Sequence, residues 1–246
     1  MLLVVLAWIL GAGSLVLFVV LLWFGSLGVL ELQVADKALL AWDAGLCLVF
    51  FLQHSILVRR SVRDAMRNYL PQHCQGVAYT ITSGVALLTL ELLWQRSATN
   101  LYVLRGTGRV AMGALLVLAL AGFVWGIGSL KRFDAFGIEA YLAHRAGKQV
   151  PAMPLTIRGP YRFVRHPFYA FGIVALWATP VLSVDRLLLN VMFTGWIVLG
   201  ATLEERDLEA EFGEEYTQYR RAVPMLVPRP WRGWRHGTMP LETVKR

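Results

Sequence analysis

The first thirty residues of the chain carry no charged side chain, and the first charge is Glu31. Thirty helical residues would extend about 45 Å, which exceeds the roughly 30 Å hydrocarbon core of a bilayer. A secretory signal peptide has a shorter apolar stretch behind a basic region, so we expect a first membrane-spanning helix here instead. Further apolar stretches cover residues 38–58, 76–94, 110–130, 168–183 and 187–203.

Composition supports a membrane protein and excludes two other classes. Hydrophobic residues make up 57% of the 246 residues and charged residues 16%, against roughly 45–50% and 25% in soluble domains. A soluble globule cannot bury so much apolar surface, and a disordered chain would contain less of it. We therefore predict an all-α polytopic membrane protein with about six transmembrane helices. Because only residues 183–186 separate the last two stretches, five spans plus a short helical hairpin is the alternative.

Basic residues are distributed unevenly among the predicted loops. The loops 59–75 and 131–167 and the segment after residue 203 hold 19 of the 24 lysines and arginines. Positively charged loops face the cytoplasm, so we expect a protein of the bacterial inner membrane with these segments and both termini on the cytoplasmic side. This distribution explains the net charge of +8, so nucleic acid is not expected as a partner.

A basic and aromatic motif at residues 158–169 ends the longest predicted cytoplasmic loop. Pro167 suits the first turn of a helix, which puts His166 at the entrance of the fifth apolar stretch. Arg162, Arg165 and His166 would then lie at the positive end of a helix dipole, where a carboxylate or phosphate binds. Alternatively, these arginines only follow the positive-inside rule and contact lipid headgroups.

An acidic segment at residues 204–216 follows the last apolar stretch and holds seven of the sixteen acidic residues. A solvated helix face explains most of them. Glu204 differs because it emerges from an apolar helix, where a carboxylate is costly unless it has a partner such as an ammonium group. A carboxylate and nearby arginines together suit a zwitterionic amino-acid moiety. Aromatic rings nearby could contact an adenine ring or a sulfonium cation, as in S-adenosylmethionine. These residues, which are alternatively ordinary anchors at the membrane interface, are Tyr161, Phe163, Phe168 and Tyr169.

Short motifs along the chain resemble the membrane methyltransferases related to isoprenylcysteine carboxyl methyltransferase. They are Arg-His-Pro-x-Tyr at 165–169, Glu-Glu at 204–205, Phe-Gly-Glu-Glu-Tyr at 212–216 and Tyr-x-x-x-Val-Pro at 219–224. Other motifs resemble a narrower branch, the methanethiol S-methyltransferases and relatives of nitrite and nitric oxide reductase accessory proteins. These are Gln-His-Ser at 53–55, Leu-Trp-Gln at 93–95, Phe-Asp-Ala-Phe-Gly at 133–137 and Pro-Met-Leu-Val-Pro-Arg-Pro at 224–230.

The resemblance implies a binding site for S-adenosylmethionine in this part of the chain. The family motifs give Tyr161, His166, Pro167, Phe168, Tyr169 and Glu204 as cofactor residues. To these we add the flanking Arg162 and Arg165, the second glutamate, Glu205, and Leu155 from a backbone stretch near 153–156. We accordingly divide the chain into a four-helix transmembrane region at 1–149, a methyltransferase core at 150–230 and a C-terminal tail at 231–246.

Two departures from the family patterns bear on the methyl acceptor. Prenylcysteine enzymes have a substrate-binding arginine four residues before the first glutamate, where this chain has Gly200. The small-thiol branch has Leu-Gly after the tyrosine of the His-Pro motif and a glutamine near position 139, where this chain has Ala170, Phe171 and Glu139.

We therefore predict methyl transfer from S-adenosylmethionine to a small lipophilic thiol such as methanethiol, giving a thioether, in contact with membrane lipids. Three alternatives remain at this point. The acceptor is another lipophilic group, such as a prenylcysteine carboxylate or a lipid. The protein is a nicotinamide-dependent reductase like the membrane sterol reductases. Or it is a non-enzymatic accessory protein of nitrogen-oxide metabolism.

Two titratable residues are candidates for the acceptor side. His54, near the end of the second span, either deprotonates the thiol or caps the helix by hydrogen bonding. Asp134, just beyond the fourth span, is a candidate substrate contact. No metal is expected, because the five histidines show no ligand spacing and Cys47 and Cys74 are the two cysteines.

Overall fold

The computed structural model describes residues 1–130, 132–151 and 154–229, apart from the side chains of Arg60 and Ser61. The predicted tail at 231–246 and Pro230 of the last motif lie outside the described residues. The described helices are α1 (Leu2–Phe24), α2 (Asp36–Val58), α3 (Arg60–Met66), α4 (Gln72–Leu93), α5 (Gly106–Ser129), α6 (Ile138–Arg145), α7 (Pro167–Trp177), α8 (Val184–Phe212) and α9 (Glu214–Ala222). A π-helical turn at Trp8–Ala12 interrupts α1, a 3-10 turn covers Gly159–Arg162, and the two strands are β1 (Asn100–Val103) and β2 (Val181–Ser183).

Among the described residues, the five helices long and apolar enough to cross a membrane are α1, α2, α4, α5 and α8. Most of their residues face away from the rest of the protein, as lipid-exposed helices do. The chain is therefore an integral membrane protein, and the predicted all-α polytopic fold is confirmed.

The apolar stretch at 168–183 is the part that does not form a full spanning helix. Its helix, α7, ends at Trp177, because Pro180 lacks an amide hydrogen and disfavours helical geometry at Thr179. The eleven residues of α7 extend about 16 Å, roughly half of the hydrocarbon core. The alternative of five spans with a short hairpin thus describes the chain better than six full helices.

An extended segment completes the crossing that α7 begins. β2 pairs antiparallel with β1, in the loop between α4 and α5, and the amide of Leu104 donates to the carbonyl of Pro180 at 2.8 Å. Backbone outside a helix needs hydrogen-bond partners elsewhere in the protein, and this pairing supplies them. The chain reverses before Val184, where α8 already begins, and not at the predicted turn of 183–186.

Three hydrophobic cores fix the arrangement of the helices. The largest joins α1, α2, α4, α5, α7 and α8 around residues such as Leu90 and Leu189. A second joins Val4 near the start of α1 to Ile138 of α6, and a third packs α9 against residues 155–157 and the end of α8. We call the end of the bundle that carries α6, α9 and the residues before α7 the basic end. The other end, with residues 25–35, 94–105 and 178–183, is the opposite end.

Candidate active site

A cavity of about 360 Å³ lies at the basic end, between the end of α5, the 3-10 turn, the start of α7, the last turns of α8 and α9. Small-molecule sites in proteins typically have volumes of about 300–1,000 Å³. Eight of the predicted cofactor residues line this cavity: Leu155, Tyr161, Arg165, His166, Pro167, Phe168, Tyr169 and Glu204.

Glu204 presents a carboxylate to the cavity from α8. Its Oε2 accepts a hydrogen bond of 2.7 Å from the hydroxyl of Tyr169 and lies 3.8 Å from Nδ1 of His166. The side chain is 45% exposed, and no donor among the described residues bonds to its Oε1. A half-exposed carboxylate with one free oxygen is suited to a charge-assisted hydrogen bond from an ammonium group.

Glu205, the next residue, lies in a buried ion-pair network beside the cavity. Its Oε1 is 2.7 Å from Nε and 2.5 Å from Nη2 of Arg165, and 3.3 Å from Nε2 of His166. Arg165 also donates to the carbonyl of Arg220 at 3.0 Å and to that of Val223. The side chains of Arg165 and Glu205 are each 8% exposed, and buried charges persist only with such complete pairing. Glu205 therefore holds two walls of the cavity in place.

Burial controls the protonation of the groups around Glu204. It lowers the pKa of His166 below the usual 6.5, although the nearby Glu204 and Glu205 oppose the shift, so the imidazole is neutral at pH 7. Burial raises the pKa of Tyr161, and Glu204 adds to the effect. Burial also raises the pKa of Tyr216 to about 12. Both phenols therefore remain protonated hydrogen-bond donors.

Aromatic rings form the apolar wall of the cavity. Phe168 meets Tyr161 edge to face, with ring centroids 6.2 Å apart, and packs on Phe133 at 5.1 Å. Gly126 of α5 makes room for this ring, because a Cβ there would come within 2.7 Å of Phe168. The sequence analysis did not predict four lining residues of α8 and α9, which are Leu208, Phe212, Tyr216 and Tyr219. Their spacing of three and four residues within an acidic segment is typical of a buried helix face.

Two other predicted site residues lie apart from the described cavity lining. Arg162 ends the 3-10 turn. Asp134 caps α6, because its Oδ1 accepts from the amide of Ile138 at 2.9 Å and its Oδ2 from the amide of Glu139 at 2.7 Å. A substrate role of Asp134 stays a prediction beside this structural one.

His54 lies inside the bundle, in the last turns of α2. Its Nε2 is 2.6 Å from the hydroxyl of Tyr79, and its ring packs against Phe50 and Trp196 at centroid distances of 5.4 and 5.0 Å. It does not line the cavity, so a role as general base stays a prediction. Within the described residues, no three His, Cys, Asp or Glu side chains come together as a metal site would require.

The spans and the cavity define a polytopic membrane protein with a small-molecule-sized site at one end of its helix bundle. The chain is 36% identical over 186 residues to a methanethiol S-methyltransferase of Mycobacterium tuberculosis, with 75% of this chain and 76% of that protein covered. A methanethiol S-methyltransferase of a Pseudomonas species is 34% identical over 195 residues, with 76% and 72% covered. The chain therefore belongs to the methanethiol S-methyltransferase family, and the resemblance seen in its motifs is confirmed.

The chain is also similar to a more distant relative. Nurim of Rattus norvegicus is 28% identical over 183 residues, with 70% of this chain and 68% of that protein covered. No protein-family profile matches the chain, and no solved structure matches it.

Proposed function

We propose that this protein transfers a methyl group from S-adenosylmethionine to a small thiol such as methanethiol, giving a thioether. The observation that carries the proposal is the cavity at the basic end, where one carboxylate oxygen of Glu204 has no hydrogen-bond partner among the described residues and lies beside the neutral His166 and Tyr169. Relatives named methanethiol S-methyltransferase, which cover three quarters of the chain, support the same reaction.

The cavity lining fits S-adenosylmethionine. Glu204 would hold its ammonium group, and the faces of Tyr161 and Phe168 suit an adenine ring or a sulfonium cation. The nitrogens of Arg165 are already engaged by Glu205 and by backbone carbonyls. The amides in the first turn of α7 are therefore the better donors for the carboxylate of the amino-acid moiety. When bound, this cofactor supplies an electrophilic methyl carbon attached to a cationic sulfur.

The protein's own task is positioning and the removal of one proton. The reaction replaces the thiol hydrogen by a methyl group, and holding both reactants in attack geometry contributes about 7–11 kcal/mol. A simple alkyl thiol is a weaker acid than the cysteine thiol, whose pKa of about 8.5 leaves only a few per cent ionised at pH 7, so a base accelerates the reaction. His54 with its hydrogen-bonded Tyr79 is our candidate for that base.

The position of Gly200 favours a thiol over a carboxylate acceptor. Gly200 lies one helical turn before Glu204, and apart from its own helical turn no described residue has a heavy atom within 4 Å of the point where a side chain would begin. A carboxylate in a low-dielectric site needs a cationic partner, because an unpaired buried charge is prohibitively costly. In prenylcysteine enzymes an arginine at this position is the expected cationic partner, and this chain has Gly200 instead. A thiol acceptor needs only an apolar cavity.

Glu204→Gln tests the cofactor site. The substitution removes the charge at nearly constant shape, and we expect S-adenosylmethionine binding to weaken by about 1.5–3 kcal/mol in calorimetry. Glu209→Gln is the matched control, since Glu209 pairs with the half-exposed Arg220 at 2.9 Å and does not line the cavity. An unchanged affinity in Glu204→Gln would remove Glu204 from the site.

The acceptor is tested with membranes, labelled S-adenosylmethionine and either methanethiol or a farnesylcysteine analogue. We expect labelled thioether from methanethiol and no methyl ester from the analogue. Methyl ester without thioether would move the chain to the prenylcysteine enzymes, and the absence of both products would favour an accessory role.

We further propose that the basic end faces the cytoplasm of a bacterial cell, as the charge distribution predicts. Cys74 in the first turn of α4 lies at this end, whereas Cys47 is buried. A membrane-impermeant thiol reagent should label Cys74 in inverted membrane vesicles and spare it in intact spheroplasts. The reverse pattern would invert the orientation.

A further inference from the structure

A second cavity, of about 130 Å³, lies at the opposite end of the bundle, between the end of α1, the loop before α5 and the start of α8. Three arginines line it: Arg96, Arg109 and Arg186. Among the described residues, this end carries five lysines and arginines, which are Lys37, Arg96, Arg105, Arg109 and Arg186. The positive-inside rule explains why basic residues are rare here, but it does not explain why three of the five meet at one cavity.

The positive charge of this cavity is not balanced by the described residues. Asp185 is the acidic member of the described lining, and both of its oxygens are engaged. Its Oδ2 accepts from the indole of Trp94 at 3.1 Å, and its Oδ1 accepts from the amide of Ser97 at 3.0 Å. Within the described ranges, no carboxylate forms an ion pair with any of the three arginines. The lining therefore has an excess of two positive charges.

Arg186 is the buried member of the three, with 5% of its surface exposed. Its Nη1 donates to the carbonyl of Leu21 at 3.4 Å and its Nη2 to that of Leu176 at 3.2 Å, in the last turns of α1 and α7. Its Nε is buried and has no partner among the described residues. A buried guanidinium with an unpaired N–H is costly inside a membrane protein until an anion supplies an acceptor.

The other two arginines, Arg96 and Arg109, are exposed, and Arg109 lies beside an aromatic ring. The guanidinium of Arg109 lies 5.3 Å from the ring centroid of Trp23. Phe24, the last residue of α1, lines the same cavity and is 72% exposed. Trp and Tyr concentrate at the depth of the lipid headgroups, so Trp23 near the end of α1 is at a position expected beside phospholipid phosphates.

We propose that the arginine cavity binds the phosphate group of an anionic phospholipid from the leaflet at the opposite end. Arginine remains charged at all relevant pH values, and its planar fork matches two phosphate oxygens at once. Phe24 and Trp23 offer an apolar surface for the acyl chain beside the headgroup. The bound lipid links α1, the loop before α5 and the start of α8, and it offsets the uncompensated charge of Arg186.

The test measures thermal unfolding of the full-length protein, purified in neutral detergent and stripped of lipid. Phosphatidylglycerol should raise the melting temperature, whereas phosphatidylcholine and inorganic phosphate should not. Arg96→Gln and Arg109→Gln should each raise the half-saturating phosphatidylglycerol concentration about tenfold. Arg105→Gln is the control, because Arg105 is exposed at the same end without lining the cavity, and it should keep the wild-type response.

Three outcomes overturn the proposal. A wild-type response in both cavity variants would separate the lipid effect from the arginines. Equal stabilisation by phosphatidylcholine would show that the headgroup charge is not recognised. Stabilisation by inorganic phosphate as strong as that by phosphatidylglycerol would assign the cavity to free phosphate. Binding of S-adenosylmethionine at the other end of the bundle, measured in the same samples, checks that the variants are folded.

Discussion

Replacing Glu205 by alanine removes the carboxylate that neutralises Arg165 inside the protein. Two nitrogens of Arg165 lie 2.7 and 2.5 Å from one oxygen of Glu205, and both side chains are 8% exposed. Removing one partner of a buried pair leaves the other charge buried, so the free energy of unfolding should fall by about 3–5 kcal/mol. Glu209, one helical turn later, pairs with Arg220 where the side chains are 41% and 48% exposed. Glu209→Ala should therefore cost only about 0–1 kcal/mol.

The assay is denaturant unfolding in one detergent, combined with calorimetric titration of S-adenosylmethionine. Glu205→Gln should lie between the two alanine variants, because its amide oxygen still accepts a hydrogen bond while the charge is gone. Glu205 does not line the cavity, but it positions Arg165 and His166, which do. Glu205→Ala should therefore also weaken cofactor binding. Equal losses of stability at positions 205 and 209 would refute the buried pair, and an unchanged affinity would refute the positioning role.

Three further predictions concern stability at the basic end. The folded imidazole of His166 stays neutral while the unfolded one takes up a proton near pH 6.5, so the free energy of unfolding should fall as the pH drops below about 6.5. His166→Gln should show a shallower fall in denaturation curves recorded between about pH 7.5 and 5. Gly137→Ala should cost more than Gly147→Ala, which is expected to cost about 1–2 kcal/mol. Both glycines have positive φ values, 65° and 66°. A Cβ at 137 would meet the backbone of Gly76, whereas one at 147 would meet none of the described residues beyond its chain neighbours within 4 Å. Equal denaturant midpoints for the two glycine variants would contradict this prediction. Asp134→Ala should lower the free energy of unfolding by about 0.5–2 kcal/mol in thermal unfolding, because α6 loses the hydrogen bonds at its first turn.

The long spans were predictable from the sequence because length and polarity alone decide whether a helix crosses a bilayer. The stretches at 38–58 and 110–130 correspond to α2 and α5 within a few residues. The helices begin slightly earlier than the apolar stretches, since a first helical turn tolerates polar residues and glycine. The error at 168–183 came from weighing hydropathy above the helix-breaking effect of Pro180, which was visible in the sequence.

The site was predictable as a set of residues and less so as a set of roles. The motif at 165–169 and Glu204 indicated the correct cavity walls. They did not indicate that Arg165 donates its hydrogen bonds to Glu205 and to two backbone carbonyls, 40 to 58 positions away in the sequence. Such long-range pairing leaves no local pattern in one sequence. The bonds from the amides of Ile138 and Glu139 to Asp134 are local, but the usual capping pattern does not predict them, because it puts the aspartate directly before the first helical residue, where this chain has Gly137.

One uninterrupted helix, α8, connects the two ends of the molecule. Arg186 and Glu204 are separated by about 27 Å along its axis, a length close to the hydrocarbon thickness of roughly 30 Å. When a bilayer is thinner or thicker than a spanning helix requires, the helix changes its tilt to reduce the mismatch. A tilt of α8 would act on Glu204 and Glu205, and through the ion pair of Glu205 with Arg165 it would reach the residues before α7. We therefore expect the affinity for S-adenosylmethionine, measured in vesicles of defined acyl-chain length, to depend on bilayer thickness.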